Sequence, residues 1–105
     1  MHQSIGQLVT SRAGRDQGRP YLVVGVLDDR FVLVADGDLR PADRPKRKNV
    51  RHLVFHHAWA EEIRQRLEAG QRPSNAELRR ALSGLVAQYF GEKDSADQKP
   101  EVQGG

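Results

Sequence analysis

A chain of 105 residues with 37% apolar content amounts to one domain, with one small core and part of the sequence left outside it. The formal charge of +3 is unevenly spread, at +4 over residues 1–57, +1 over 58–91 and −2 over 92–105. The absence of cysteine excludes disulfide staples, thiolate zinc sites and cysteine nucleophiles. No apolar run approaches the roughly 18 residues that cross a bilayer, and the polar start His2-Gln3-Ser4 lacks a signal-peptide layout, so a soluble cytoplasmic protein is expected.

Leu8-Val9-Thr10-Ser11 reads as a short strand, left through Gly14-Arg15-Asp16-Gln17-Gly18-Arg19. Two glycines four residues apart, with charges between them and β-branched residues on both sides, describe a tight basic loop between strands. The partner strand begins at Tyr21, after Pro20, and runs through Val26. Leu27-Asp28-Asp29-Arg30 is a turn into a third strand, Phe31-Val32-Leu33-Val34, and Asp36-Gly37 is a second turn in which the aspartate caps its own backbone. A fourth short strand is expected around Leu39-Arg40-Pro41. Residues 42–49 then read as a charged connector, and Val50 to Phe55 as a fifth strand. Five short strands in fewer than 60 residues cannot make a wide open sheet with two buried faces; they suit a small closed or nearly closed barrel.

After His57 the apolar period changes from two to about 3.6. Trp59, Ile63 and Leu67 mark a short amphipathic helix that stops at Gly70. Ser74 and Glu77 form a capping box for a second helix, with Leu78, Leu82, Leu85, Val86 and Tyr89 as its apolar stripe until Gly91. The expected class is therefore α+β, with a barrel over residues 1–57, a helical hairpin over 58–91 packed on or beside it, and a disordered tail over 92–105.

Candidate chemistry lies in two basic stretches. The glycine loop offers Arg12, Gly14, Arg15, Gly18 and Arg19: glycine admits positive φ and lets a foreign backbone come close, and planar guanidinium groups suit phosphate. Arg40, Arg44, Lys46, Arg47, Lys48 and Arg51 against Asp43 alone give +5 over twelve residues. A phosphate backbone is the natural partner of such charge; the competing reading is a solvated loop beside a sheet margin.

The span Ile5 to Gly37, with Gly6-Gln7-Leu8-Val9, then Gly14-Arg15-Asp16-Gln17-Gly18-Arg19 leading into Tyr21-Leu22-Val23-Val24-Gly25-Val26, resembles the KOW motif of ribosomal proteins and transcription elongation factors, which belongs to SH3-like barrels. The full order of basic loop, Asp28-Asp29 turn, Asp36-Gly37 turn, Arg/Lys-rich connector and helix pair with Asn75-Ala76-Glu77-Leu78-Arg79 is similar to the short bacterial KOW-domain RNA-binding proteins, over about residues 4–90. These are related to a KOW-containing large-subunit ribosomal protein of archaea and eukaryotes. The resemblance implies a five-stranded SH3-like barrel and RNA or ribosome association through the first loop. It puts the motif glycines at Gly14 and Gly18 and the flanking basic positions at Arg15 and Arg19. Where many such proteins carry lysine runs, this chain has Arg44-Pro45-Lys46-Arg47-Lys48, and arginine stacks on bases as well as pairing with phosphate.

Other chemistry is not called for. Asp28-Asp29 sits in a turn where adjacent side chains point apart, no serine has a base in its sequence context, and Gly14 to Gly18 lacks the Lys-Ser/Thr ending of a nucleotide-binding loop. His52 and His56 on a strand do not converge as metal ligands, so phosphate contact or solvent exposure is expected of them and of His57. The expectation is thus a monomeric, non-catalytic RNA-binding protein with no cofactor and no metal, engaging ribosomal or structured RNA, with ribosomal proteins as further candidate partners and both basic stretches on one face. The alternative is a protein-interaction adaptor in translation or transcription, with Trp59 or Phe90 as an exposed anchor.

Overall fold

The computed structural model describes residues 3–91. β1 (Gln7–Ser11), β2 (Pro20–Val26), β3 (Phe31–Ala35), β4 (Lys46–Asn49) and β5 (Leu53–Trp59) form one antiparallel sheet in the order β4-β3-β2-β1-β5. Each of the first four strands pairs with its neighbour in sequence, and β5 returns to β1, with Val9 opposite Phe55 and Ser11 opposite Leu53. The sheet curls back on itself. Lys48 Nζ of β4 reaches Ser11 Oγ of β1 at 3.2 Å, although two strands lie between them in the hydrogen-bonded order. The result is a small α+β barrel-like domain.

Strand alternation divides the apolar residues between two clusters. Val9, Tyr21, Val23, Val32, Val34 and Leu53 fill the barrel interior. Leu8, Leu22 and Ala35 point the other way and join Ala60, Ile63, Leu78, Ala81 and Leu82 beneath the helices. The sheet therefore buries residues on both faces, because the helix pair covers what the barrel leaves outside. α1 (Glu61–Glu68) ends at Gly70, whose N–H donates to Leu67 O at 3.1 Å while Gln71 N donates to Arg66 O at 2.9 Å. α2 (Asn75–Val86) starts at the capping box of Ser74 and Glu77, and Arg66 bridges to Glu77 at 2.6 Å to tie the hairpin. Residues Ala87–Gly91 continue as a wider π-helical turn rather than as regular helix.

Two boundaries differ from the sequence expectation. The fourth strand is not at Leu39-Arg40-Pro41 but within the connector: the Asp36 carboxylate takes the N–H groups of Asp38 and Arg40, locking a turn there. Val50–His52 is a 3-10 turn capped by the Asn49 side chain, so β5 starts at Leu53 and runs through His57 to Trp59, past the expected barrel end. The Trp59 indole N–H donates to Gln3 O at 2.7 Å, which keeps this residue on the sheet. The Leu27 to Arg30 turn is as expected, with Asp28 accepting from the N–H groups of Arg30 and Phe31 at 2.8 Å each. The tail expected to be disordered lies outside the described residues.

One contact sets the position of the β3–β4 loop. Gly37 has φ +79° and sits so close to α2 that a Cβ there would lie 2.4 Å from Asn75 O. Arg79 donates to Gly37 O at 2.7 Å, and Asn75 Oδ1 accepts from Ala42 N at 2.7 Å. The start of α2 thus clamps the loop that carries Leu39 and Arg40.

Candidate nucleic-acid interface

The β1–β2 loop is built by its own backbone. Gly18 N donates to Ser11 O at 2.8 Å, Arg19 N to Asp16 O at 2.8 Å and Gln17 N to Gly14 O at 3.2 Å. Gly14 and Gly18 both have φ +84°, a conformation that L side chains rarely adopt. Nothing lies within 4 Å of where a Cβ on Gly18 would be, so the space above the loop is open.

Beneath the loop, Asp16 turns inward. Its carboxylate accepts from Ser11 Oγ at 2.9 Å and from the Tyr21 hydroxyl at 2.8 Å, and Lys48 Nζ stands 3.4 Å away. Burial works against the charged form, but the bonds from Tyr21 and Ser11 together with the Lys48 charge outweigh it, and the carboxyl falls to about 2. Burial and the Asp16 carboxylate push the Tyr21 phenol up to about 12. Because the folded value lies below the ordinary 3.8, the stability that Asp16 adds is complete above that value and is lost as pH falls through about 2. The gap in thermal midpoint between the parent and Asp16→Asn should therefore close between pH 4 and pH 2; a gap that stays constant over that range would contradict the network.

A second buried carboxylate joins the loops. Asp36 accepts from Arg19 Nε at 3.1 Å and Nη2 at 2.8 Å, as well as from Arg40 N at 2.8 Å and Asp38 N at 3.0 Å. Burial raises its pKa, yet these backbone N–H groups and the Arg19 guanidinium bring it below the ordinary value. The same hydrogen bond raises the Arg19 pKa.

These anchors hold the two loops around one groove of about 910 Å³. Its walls include Gly14, Arg15, Gly18 and Arg19 from the β1–β2 loop, Pro20 at the start of β2, Leu39 and Arg40 from the β3–β4 loop, the third in the chain, and Lys46 and Lys48 from β4. The candidates inside it are not equivalent. Lys48 is 9% exposed and held by Asp16 and Ser11, so it is a brace beneath the groove rather than a free cation. Arg19 is committed to Asp36. Arg15 is exposed and Arg40 and Lys46 half-buried, and no carboxylate pairs with any of these three side chains among the described residues.

The remaining candidates stand apart, so the expected single basic face is divided. Arg12 and Arg44 are exposed but do not wall the groove. Arg47 alternates away from Lys46 and Lys48 along β4, and its guanidinium lies 4.5 Å from the centre of the Phe31 ring. Arg51, on the 3-10 turn, borders a separate depression with Asp29 and Arg30. The backbone-capping role of Asp36 is as expected, but sequence reasoning missed its pairing with Arg19 and the bracing role of Asp16, whose partner Lys48 lies 32 residues away in sequence. A lone acid between two motif glycines was the one available signal.

The anchors expected of an adaptor are occupied internally. Trp59 is half-buried, bonded to Gln3 and edge-on to His57 at 5.0 Å, and Phe90 packs edge-on against His56 at 5.1 Å and against Tyr89 at 5.1 Å. The histidines differ among themselves: His52 and His57 are exposed, whereas His56 is half-buried with its Nε2 2.9 Å from Thr10 Oγ1.

No protein-family model matches the chain. It is similar to a Bacillus subtilis protein, YbzG, whose name describes it as ribosome-binding, at 34% identity over 71 residues covering 68% of this chain and 96% of that relative. It is also similar to large ribosomal subunit protein eL14 of two other organisms. With Desulfurococcus amylolyticus the identity is 35% over 49 residues, 47% of this chain and 51% of the relative. With Staphylothermus marinus it is 27% over 86 residues, 82% of each chain.

Proposed function

The chain belongs to the bacterial ribosome-related KOW family that includes YbzG and is related to large-subunit protein eL14, and on that premise we propose that it is a non-catalytic RNA-binding protein that associates with ribosomal RNA through the groove between its first and third loops. The observation that carries this reading is the convergence of Arg15, Arg40 and Lys46, free of carboxylate partners among the described residues, on a concave site rimmed by an open glycine loop. Such an arrangement suits a phosphate backbone, with the amide groups of the loop able to approach it closely. No described helix is long and apolar enough to cross a membrane, and the working state in this reading is a cytoplasmic monomer.

Binding carried by phosphate contacts depends steeply on salt. The full chain should co-sediment with purified ribosomes, and bind naked ribosomal RNA, at 50 mM salt and be released as salt rises to a few hundred millimolar. Absence of both interactions at low salt would overturn the proposal. Ribosome binding without any affinity for naked RNA would shift the contact to ribosomal protein.

A further inference from the structure

Resting on that reading, we infer that the groove receives one unstacked nucleotide, with its phosphate toward Arg15, Arg40 and Lys46 and its base against Leu39 and Pro20, so that the preferred ligand is an RNA bulge or loop rather than a continuous duplex. Tracking the outside of a helix needs only a charged surface. This site is a concave, solvent-open groove of about 910 Å³, large enough to seat one nucleotide.

Its walls also have two characters. Leu39 is 56% exposed, the most exposed large apolar side chain among the described residues, and it stands directly beside Arg40. The Leu39 loop is not loose: Asp36 takes the Arg40 N–H, Asp36 and Gly37 donate to Arg40 O at 3.0 and 3.1 Å, and Arg79 grips Gly37 from α2. An exposed apolar side chain on a fixed backbone, next to cations unpaired among the described residues, gains most from a ligand that is itself apolar on one flat side and anionic on the other, and a nucleotide has that form.

Arg40 supplies the second indication. Its Nε is buried and has no hydrogen-bond partner among the described residues, and a buried donor in that state is normally met by an acceptor. A turn of the Arg40 side chain toward the groove it lines would let a phosphate oxygen supply one. The polar groups at the floor, by contrast, are spent on each other: the Tyr21 hydroxyl and Ser11 Oγ on Asp16, and Lys48 on both Ser11 and Asp16. Few donors are left to read a base edge. The site therefore distinguishes unstacked from stacked nucleotides rather than one base from another.

The test uses the full chain and two RNA hairpins of equal length, one fully paired and one with a single-nucleotide bulge carrying 2-aminopurine. Fluorescence anisotropy should show about tenfold tighter binding of the bulged hairpin, with a change in 2-aminopurine emission, and changing the bulged base should alter affinity far less. Leu39→Ser, a change at an exposed position, should lower affinity for the bulged hairpin about tenfold, to that of the paired hairpin measured with the same variant, and so abolish the preference. Equal, salt-sensitive binding of both hairpins, or a preference that survives Leu39→Ser, would overturn the inference while leaving RNA binding in place. Failure to bind either hairpin at low salt would remove the RNA reading itself.

Discussion

Asp36→Ala is expected to lower stability by about 3 kcal/mol, a large share of the roughly 5–15 kcal/mol available to a small domain. The carboxylate is 5% exposed and accepts from both Arg19 nitrogens and from two backbone N–H groups. Truncation leaves the Asp38 and Arg40 amides without their acceptor and leaves a part-buried guanidinium without its counter-charge, and each loss carries its own desolvation penalty. Asp36→Asn keeps an oxygen for the amides but loses the charge, so it should fall between the two. Urea unfolding is the measurement, with the midpoint falling and the slope unchanged. An unaltered midpoint for Asp36→Ala would mean that the two loops are held together by something other than this residue. Arg19→Glu, which sets a second carboxylate against Asp36, should be at least as damaging, and so is unsuitable for separating binding from folding.

Arg15→Glu, Arg40→Gln and Lys46→Glu combined should weaken RNA binding by about 100-fold at 50 mM salt and make its log-log salt dependence shallower by roughly 2, at about 0.7 per phosphate contact for single strands. None of the three side chains takes part in an ion pair among the described residues, so the unfolding midpoint should hardly move. Arg12→Glu with Arg51→Glu provides the contrast, since neither residue walls the groove. If RNA contacts the groove, the second pair has the weaker effect. If net charge alone governs binding, losses follow the charge removed wherever it sits, and the groove loses its special standing.

Much of the fold was readable from local pattern. The glycine loop, both aspartate turns and the capping box are each encoded within a few adjacent residues, and each appears where spacing placed it. β4 escaped because its inward positions are Lys46 and Lys48 rather than apolar residues: strand alternation is present, but the interior partner of Lys48 is a carboxylate from another loop. Trp59 was assigned to the helix because spacing of four to Ile63 fits an α period equally well, whereas its hydrogen bond to Gln3 lies far off in sequence. The groove was legible in its parts and not in its membership. Composition counts Arg19 and Lys48 as available cations, and only the fold reveals that the buried Asp36 and the half-buried Asp16 have already claimed them.

The return of β5 to β1 has a consequence during synthesis. β1 to β4 meet in the order in which they emerge, each folding against the strand just made, whereas β1 meets β5 only through pairings such as the Gln7 to His56 bond, which spans 49 residues. Until residues 53–59 clear the exit tunnel, the barrel lacks Leu53, which caps the cluster around Val9 and Tyr21. The barrel can therefore be completed only when the final strand arrives, and its closure requires a pairing of long sequence separation.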